Sequence, residues 1–216
     1  MKLRRFLSIV LVFQASILSA QFPVKSYFEL KFDKIERQKN EIFCGPAVLS
    51  SILKNYYNLS ADQNSIFLYS IEAINNEKRN FSFWDMCTFL DHLDFSCMAF
   101  KVNEPALDSI LVRTKVPIIV HTFYKGINDT NESKNGHFLL ILGIVGGDFY
   151  LINDPTFGKQ VVNKQNLFSD LSGNVLIAVP PKKSGLLNKS KEILMEQIKQ
   201  ANRYVERIQK LKENTF

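Results

Sequence analysis

The sequence predicts an α+β domain with helices in its N-terminal half and an antiparallel sheet in its C-terminal half. Three patterns carry this: apolar residues at helical spacing after Gly45 and Pro46, continuous apolar runs between 117 and 153, and the order in which the two kinds of segment occur. A doubly wound sheet would interleave them.

Taken in order, residues 1–20 read as a secretory signal peptide: Lys2, Arg4 and Arg5 precede an apolar run from Phe6 to Leu18, followed by Ser19 and Ala20. Gln14 interrupts the run, which is short for a membrane span of about 20 residues. Cleavage after Ala20 is therefore expected over anchoring. Residues 21–43 read as an extended lead-in in which Phe28, Leu30 and Phe32 alternate with polar neighbours. Gly45 and Pro46 open a helix that runs through Tyr57, with Val48, Leu49, Ile52, Leu53 and Tyr56 at helical spacing. Helices follow at 62–74 and 83–93; Ser82 caps the second, and Trp84, Met86, Cys87 and Leu90 supply its apolar contacts. Phe95 to Val102 reads as a strand and 104–114 as a short helix. Pro117 to Phe123, 137–145 and 148–153 read as strands, with a polar loop at 124–136. From Leu187 to Leu211 the stripe Leu187, Leu194, Ile198, Ala201, Val205 and Ile208 predicts a long amphipathic helix. That helix is open to three readings: docking on the parent domain, recognition of a protein partner, or contact with a membrane surface.

Composition bounds the function. At 216 residues, 46% hydrophobic and 22% charged, the chain can bury one ordinary core and is not disordered. Three cysteines are too few for a disulfide scaffold. Of the formal charge of +6, the N-terminal segment contributes three positive charges and the tail from Lys182 contributes five (nine basic against four acidic residues), which leaves residues 21–181 at −2. A nucleic-acid role is thereby excluded for the domain at 21–181, and the charges of the tail at 182–216 are spread along the helix and not clustered. A glycine-rich phosphate loop with Lys-Ser/Thr is absent, so ATP is not expected.

Cys44 falls at the entry to the first strong helix, where free backbone N–H groups favour a thiolate. By position alone it is equally a nucleophile or a buried structural thiol. Cys87 and Cys97 lie in bland helix and strand contexts; they are expected to be free buried thiols, with a disulfide between them as the alternative. A nucleophilic cysteine needs a base, and the choice among His92, His121 and His137 follows from strand register. Gly146-Gly147 as a two-residue hairpin turn pairs 145 with 148, which places Asp154 opposite 139 and diagonal to His137. Diagonal Cα atoms lie about 7–8 Å apart, a gap that one imidazole–carboxylate hydrogen bond closes. His92 reads as a solvated helix end and His121 as a hydrogen-bonded core residue. Gln38, six positions ahead of Cys44, is the candidate oxyanion donor together with the Cys44 backbone N–H.

These residues resemble the papain-like cysteine peptidases that remove double-glycine leaders from bacteriocin and pheromone precursors, commonly as domains of ABC exporters. The resemblance covers about residues 34–180 and rests on Arg37-Gln38, Cys44-Gly45-Pro46-Ala47, Phe81-Ser82-Phe83-Trp84-Asp85-Met86, Pro117-Ile118-Ile119-Val120-His121, Gly136-His137-Phe138, and Asp154-Pro155 with Gly158. It implies a papain-like fold at 21–181, Cys44 as nucleophile, His137 as base, Asp154 as orienting acid, Gln38 in the oxyanion hole, a peptide or protein substrate, and no metal or organic cofactor. Phe43 departs from the acidic residue often found before the nucleophile. With a signal peptide, the resemblance implies a stand-alone periplasmic or secreted peptidase acting on an exported precursor. A non-catalytic peptide-binding module and an acyltransferase on the same residues are the alternatives.

Overall fold

The computed structural model describes residues 25–73, 81–124 and 135–213. The expected signal peptide and most of the expected 124–136 loop lie outside them. The chain divides into Met1–Lys31 and Phe32–Phe216. In the first unit the described residues include α1 (Tyr27–Lys31). It opens on a reciprocal cap: Ser26 N donates to Glu29 Oε2 at 2.6 Å and Glu29 N donates to Ser26 Oγ at 3.1 Å. This capping box overrides the apolar alternation that reads as extended chain. A second correction to the lead-in lies at Glu41–Phe43, a 3₁₀ turn capped by Asn40, which runs directly into α2 (Cys44–Asn55).

Within the second unit, α2 is buried from Cys44 through Leu53. Around it stand α3 (Gln63–Ala73) and α4 (Phe83–His92). Ser82 caps α4 as expected, completing a capping box with Asp85. Trp84 does not join the core; it is 71% exposed, while Met86 and Leu90 are buried. The remaining elements are β1 (Ser96–Lys101), α5 (Glu104–Thr114), β2 (Ile118–Tyr124), β3 (Asn135–Val145), β4 (Phe149–Asp154), β5 (Gly158–Asn163), α6 (Lys164–Asp170), β6 (Leu171–Val179) and α7 (Leu186–Glu213). The strands form one sheet in the order β1-β6-β2-β3-β4-β5. Every pairing between neighbours is antiparallel.

Two apolar clusters hold the sheet. On one face Val48, Leu49, Ile52 and Leu53 of α2 and Met86 and Leu90 of α4 pack with Phe138, Leu140 and Leu142 of β3 and Leu176 of β6. On the other, Leu107 and Leu111 of α5 and Leu167 of α6 pack with Leu139, Ile141, Ile152 and Val175. Alternation along β3 feeds both. α7 docks on the first face. Leu194 and Val205 are buried there, and Ile198 fills the space beside Gly143, where a Cβ would lie 2.4 Å from Ile198 Cδ1. Two polar contacts fix α7 in register: Tyr56 Oη donates to Gln197 Oε1 at 2.8 Å, and Gly146 N donates to Asn202 Oδ1 at 2.9 Å. Among the described residues no helix is long and apolar enough to cross a membrane.

Cys87 and Cys97 form a disulfide, with Cα atoms 5.3 Å apart, which overturns the expectation of free thiols. The chain leaves α4 through Asp94 at φ 59°, a left-handed residue that folds β1 back along the helix and brings the two cysteines together. Cys44 is the free cysteine.

Candidate active site

Five segments converge on a cleft of about 560 Å³, lined by Gln38, Cys44, His121, Gly136 and His137 with Glu41, Ile42, Phe81, Phe138, Thr156 and Phe157. Cys44 reaches it from the first position of α2. The 3₁₀ turn before α2 aims the Cys44 side chain at the sheet, and Gly45 lets Phe81 lie against the helix start.

His137 stands near the start of β3, opposite Thr122 of β2. Its Nε2 lies 3.2 Å from Asp154 Oδ2, at the end of β4. Both are buried, His137 at 7% exposure and Asp154 at 2%. The other Asp154 oxygen accepts from Thr156 N at 2.7 Å and Phe157 N at 3.0 Å, so the carboxylate is locked by the turn that follows it. With Nε2 engaged by Asp154, the opposite ring nitrogen is the one presented to Cys44, and the imidazole hydrogen-bonds the Cys44 sulfur. Burial alone would lower the His137 pKa; the hydrogen bonds and charges of Asp154 and Cys44 outweigh it and push the group up to about 9. At neutral pH the imidazole is therefore protonated beside the sulfur.

The route by which His137 meets Asp154 differs from the expected one. The β3–β4 turn holds three residues, Gly146, Gly147 and Asp148, so Val145 pairs with Phe149 and not with 148. A bulge between Ile141 and Gly143 then inserts Leu142 as an extra residue on β3 and restores the register Leu140↔Asn153. Turn and bulge compensate, and the carboxylate arrives diagonal to the imidazole.

Gln38 is brought in by three anchors on its segment. Its N donates to Pro155 O at 3.0 Å, Gln63 Nε2 donates to Arg37 O at 2.8 Å, and Lys39 N donates to Gln63 Oε1 at 3.2 Å. The buried Gln38 Oε1 has no hydrogen-bond partner among the described residues, and the Gln38 side chain lines the cleft.

His92 is exposed on α4, as expected. His121 differs from expectation. It lines the cleft, and its buried Nδ1 has no hydrogen-bond partner among the described residues. Burial and the charge of His137 hold its pKa below the ordinary histidine value. Sequence reading also passed over Glu41, Ile42, Thr156 and Phe157. Their signal was proximity in the chain to Cys44 and Asp154.

A protonated imidazole between the Cys44 sulfur and a buried carboxylate, with the Gln38 side chain alongside, is equipped for acyl transfer through sulfur. Residues 33–183 match the peptidase C39 family. The chain is 23% identical over 155 residues to a probable functional amyloid protease, FapD, of Pseudomonas fluorescens, covering 70% of this chain and 63% of that one. The protein of the same name from Pseudomonas aeruginosa is 23% identical over 140 residues, covering 63% and 56%. The chain thus spans less than two thirds of the length of these curated relatives. Among solved structures it is similar to the peptidase domain of Streptococcus ComA, a bifunctional ABC transporter involved in quorum sensing. The TM-score is 0.55 at 22% identity, over 68% of this chain and 98% of that one. A double glycine motif protease from an AMS/PCAT transporter, solved in complex with its leader peptide, gives a TM-score of 0.55 at 18% identity, over 68% and 91%. These likenesses establish the papain-like α+β peptidase fold. Because the matched segment contains every element that lines the cleft, the chain belongs to the peptidase C39 family of cysteine peptidases.

Proposed function

We propose that this cysteine peptidase acts in the periplasm or outside the cell, with Cys44 as nucleophile, and cuts an exported precursor after small, glycine-like residues. The observation that carries the catalytic part is the continuous Cys44–His137–Asp154 hydrogen-bonded chain at the end of the cleft. Cys44 Sγ attacks the scissile carbonyl, and the Gln38 amide with the Cys44 backbone N–H receives the oxyanion. His137 gives its proton to the leaving amine as the C–N bond breaks and the thioester remains. Neutral His137 then takes a proton from water; the hydroxide adds to the thioester, and the Cys44 thiolate leaves as the acid is released. Asp154 holds the ring in the required tautomer throughout.

Two observations support export: the basic, apolar and small-residue order of residues 1–20, and the Cys87–Cys97 disulfide, a bond suited to an oxidising compartment. The substrate class draws on the comparisons, since two relatives are named as functional amyloid proteases and one fold neighbour is a double glycine motif protease holding a leader peptide. An exported, fibre-forming precursor with glycine-like residues at its cut is consistent with both. The test is a secreted-peptide library presented to wild type and Cys44→Ala, read by mass spectrometry. Cleavage lost in Cys44→Ala and concentrated after small residues is expected; cleavage retained in Cys44→Ala would overturn the catalytic assignment. Recovery of the native protein with Met1 intact in the cytosol would overturn export.

A further inference from the structure

We infer that α7 belongs to the catalytic apparatus, with Gln197 and Asn153 as positioning residues that act through Tyr56 to hold the Gln38 segment against the turn carrying Asp154. This rests on the peptidase reading above and adds to it a helix outside the matched segment, which ends at residue 183 while α7 starts at Leu186. Asp154 is flanked by the two residues that hold the Gln38 segment. On one side Pro155 O accepts from Gln38 N at 3.0 Å, and on the other Asn153 Nδ2 donates to Lys34 O at 3.3 Å. The chain from Lys34 to Gln38 is thus pinned at both ends, and the Gln38 side chain is set relative to the His137–Asp154 pair. Lys34 itself stands at φ 62°, a left-handed conformation that a lysine keeps only where surrounding bonds enforce it.

Asn153 is held in turn from α7. Its Nδ2 also donates to Tyr56 Oη at 3.4 Å, and Tyr56 Oη donates to Gln197 Oε1 at 2.8 Å. Burial raises the Tyr56 pKa far above that of an ordinary phenol, so the hydroxyl keeps its proton and the direction of the chain is fixed. All three side chains are sealed, Asn153 and Tyr56 at 0% and Gln197 at 6% exposure. Packing alone would not select them. Asn153 Oδ1 and Gln197 Nε2 have no hydrogen-bond partner among the described residues, a cost that leucine and methionine at the same places would not carry. Apolar contacts through Leu194, Val205 and Ile198 already dock α7. What the polar chain adds is a fixed register between α7, the end of α2 and the hairpin that carries Asp154.

The experiment measures kcat and KM for the full chain, Asn153→Leu and Gln197→Met, each alone and combined with Gln38→Ala. The substrate is a peptide that wild type cleaves, and rates are divided by the Cys44 thiol that iodoacetamide titrates in the folded protein. Asn153→Leu should lower kcat by about 10-fold and Gln197→Met by about 3-fold, with KM held within about twofold, because a misplaced oxyanion donor is felt in the transition state. In the Gln38→Ala background each should lower kcat by less than about twofold further, since the group they position is gone. A merely structural role would reduce the titrated thiol and leave kcat per site unchanged, which overturns the inference, as do losses that multiply across the two backgrounds. Amide exchange reads the same contact without substrate: the Gln38 N–H should exchange about 10-fold faster in Gln197→Met while the Leu140 N–H keeps its wild-type protection. An unchanged Gln38 rate overturns the inference and leaves the peptidase reading intact. If Asn153→Leu fails to fold, Tyr56→Phe replaces it under the same criteria. A wild type that cleaves no peptide overturns the peptidase reading and the inference with it.

Discussion

Asp154→Asn isolates what the carboxylate does for His137. Asparagine keeps an acceptor for the Thr156 and Phe157 N–H groups, now at 2.7 and 3.0 Å from Oδ1, so the turn after β4 should stand. What changes is the charged oxygen 3.2 Å from His137 Nε2. A hydrogen bond to a charged group contributes about 1.5–3 kcal/mol, and 1.36 kcal/mol corresponds to about one pKa unit. Starting from about 9, His137 should therefore drop by about one to two units. In wild type the alkaline fall of kcat/KM follows loss of the imidazolium proton near pH 9. In Asp154→Asn that limb should move to about pH 7–8, with the plateau lowered by about 100-fold or more. The limb belongs to the coupled Cys44–His137 pair, so it is fitted as one apparent value. Stability carries the same signature with a definite sign. The folded-state pKa of about 9 exceeds the ordinary 6.5, so the contribution is complete below pH 6.5 and is lost as pH rises towards 9. Urea midpoints should accordingly fall between these pH values more in wild type than in the variant. An alkaline limb that stays near pH 9 in Asp154→Asn would refute the argument.

Other substitutions probe the remaining parts. Gln38→Ala should lower kcat by about 10²–10³ with little change in KM, since an oxyanion donor acts in the transition state; steady-state kinetics on a cleaved peptide decide it. Replacing Cys87 and Cys97 together by serine should cost about 3 kcal/mol for the short loop they close, measured by urea unfolding, while iodoacetamide labelling of Cys44 in the folded chain persists. Tyr56→Phe removes the hydroxyl that donates to buried Gln197 and should cost about 1–3 kcal/mol. Hydrogen exchange should show the loss first in α7.

Much of the site was legible because its parts are local signals. Cys44 precedes a Gly-Pro helix start, and Ser82 stands where the cap of α4 is expected. The missing parts depend on distant pairing. β6 sits between β1 and β2, far from both in sequence, and its polar opening from Ser172 to Asn174 hides the buried run that follows. The disulfide was missed because spacing does not reveal a reversal, which here turns on the backbone of one residue, Asp94. His121 was misjudged because β2 reads as uniformly apolar, so nothing in its pattern says that one side chain opens onto a cleft.

The three-residue turn and the Leu142 bulge have a consequence for how this hairpin tolerates change. The extra residue sits midway along β3, between the tip and the end that carries His137 and Asp154, and its side chain is sealed in the core. Length variation at the tip can thus be absorbed by gaining or losing the bulge before it reaches the far end. Closing the turn to Gly146-Gly147 with loss of the bulge would keep Leu140 opposite Asn153 and leave His137 and Asp154 in phase, and so would deletion of Leu142 with the three-residue turn kept. The hairpin works as a slip joint that isolates the reacting pair from drift at the protein surface.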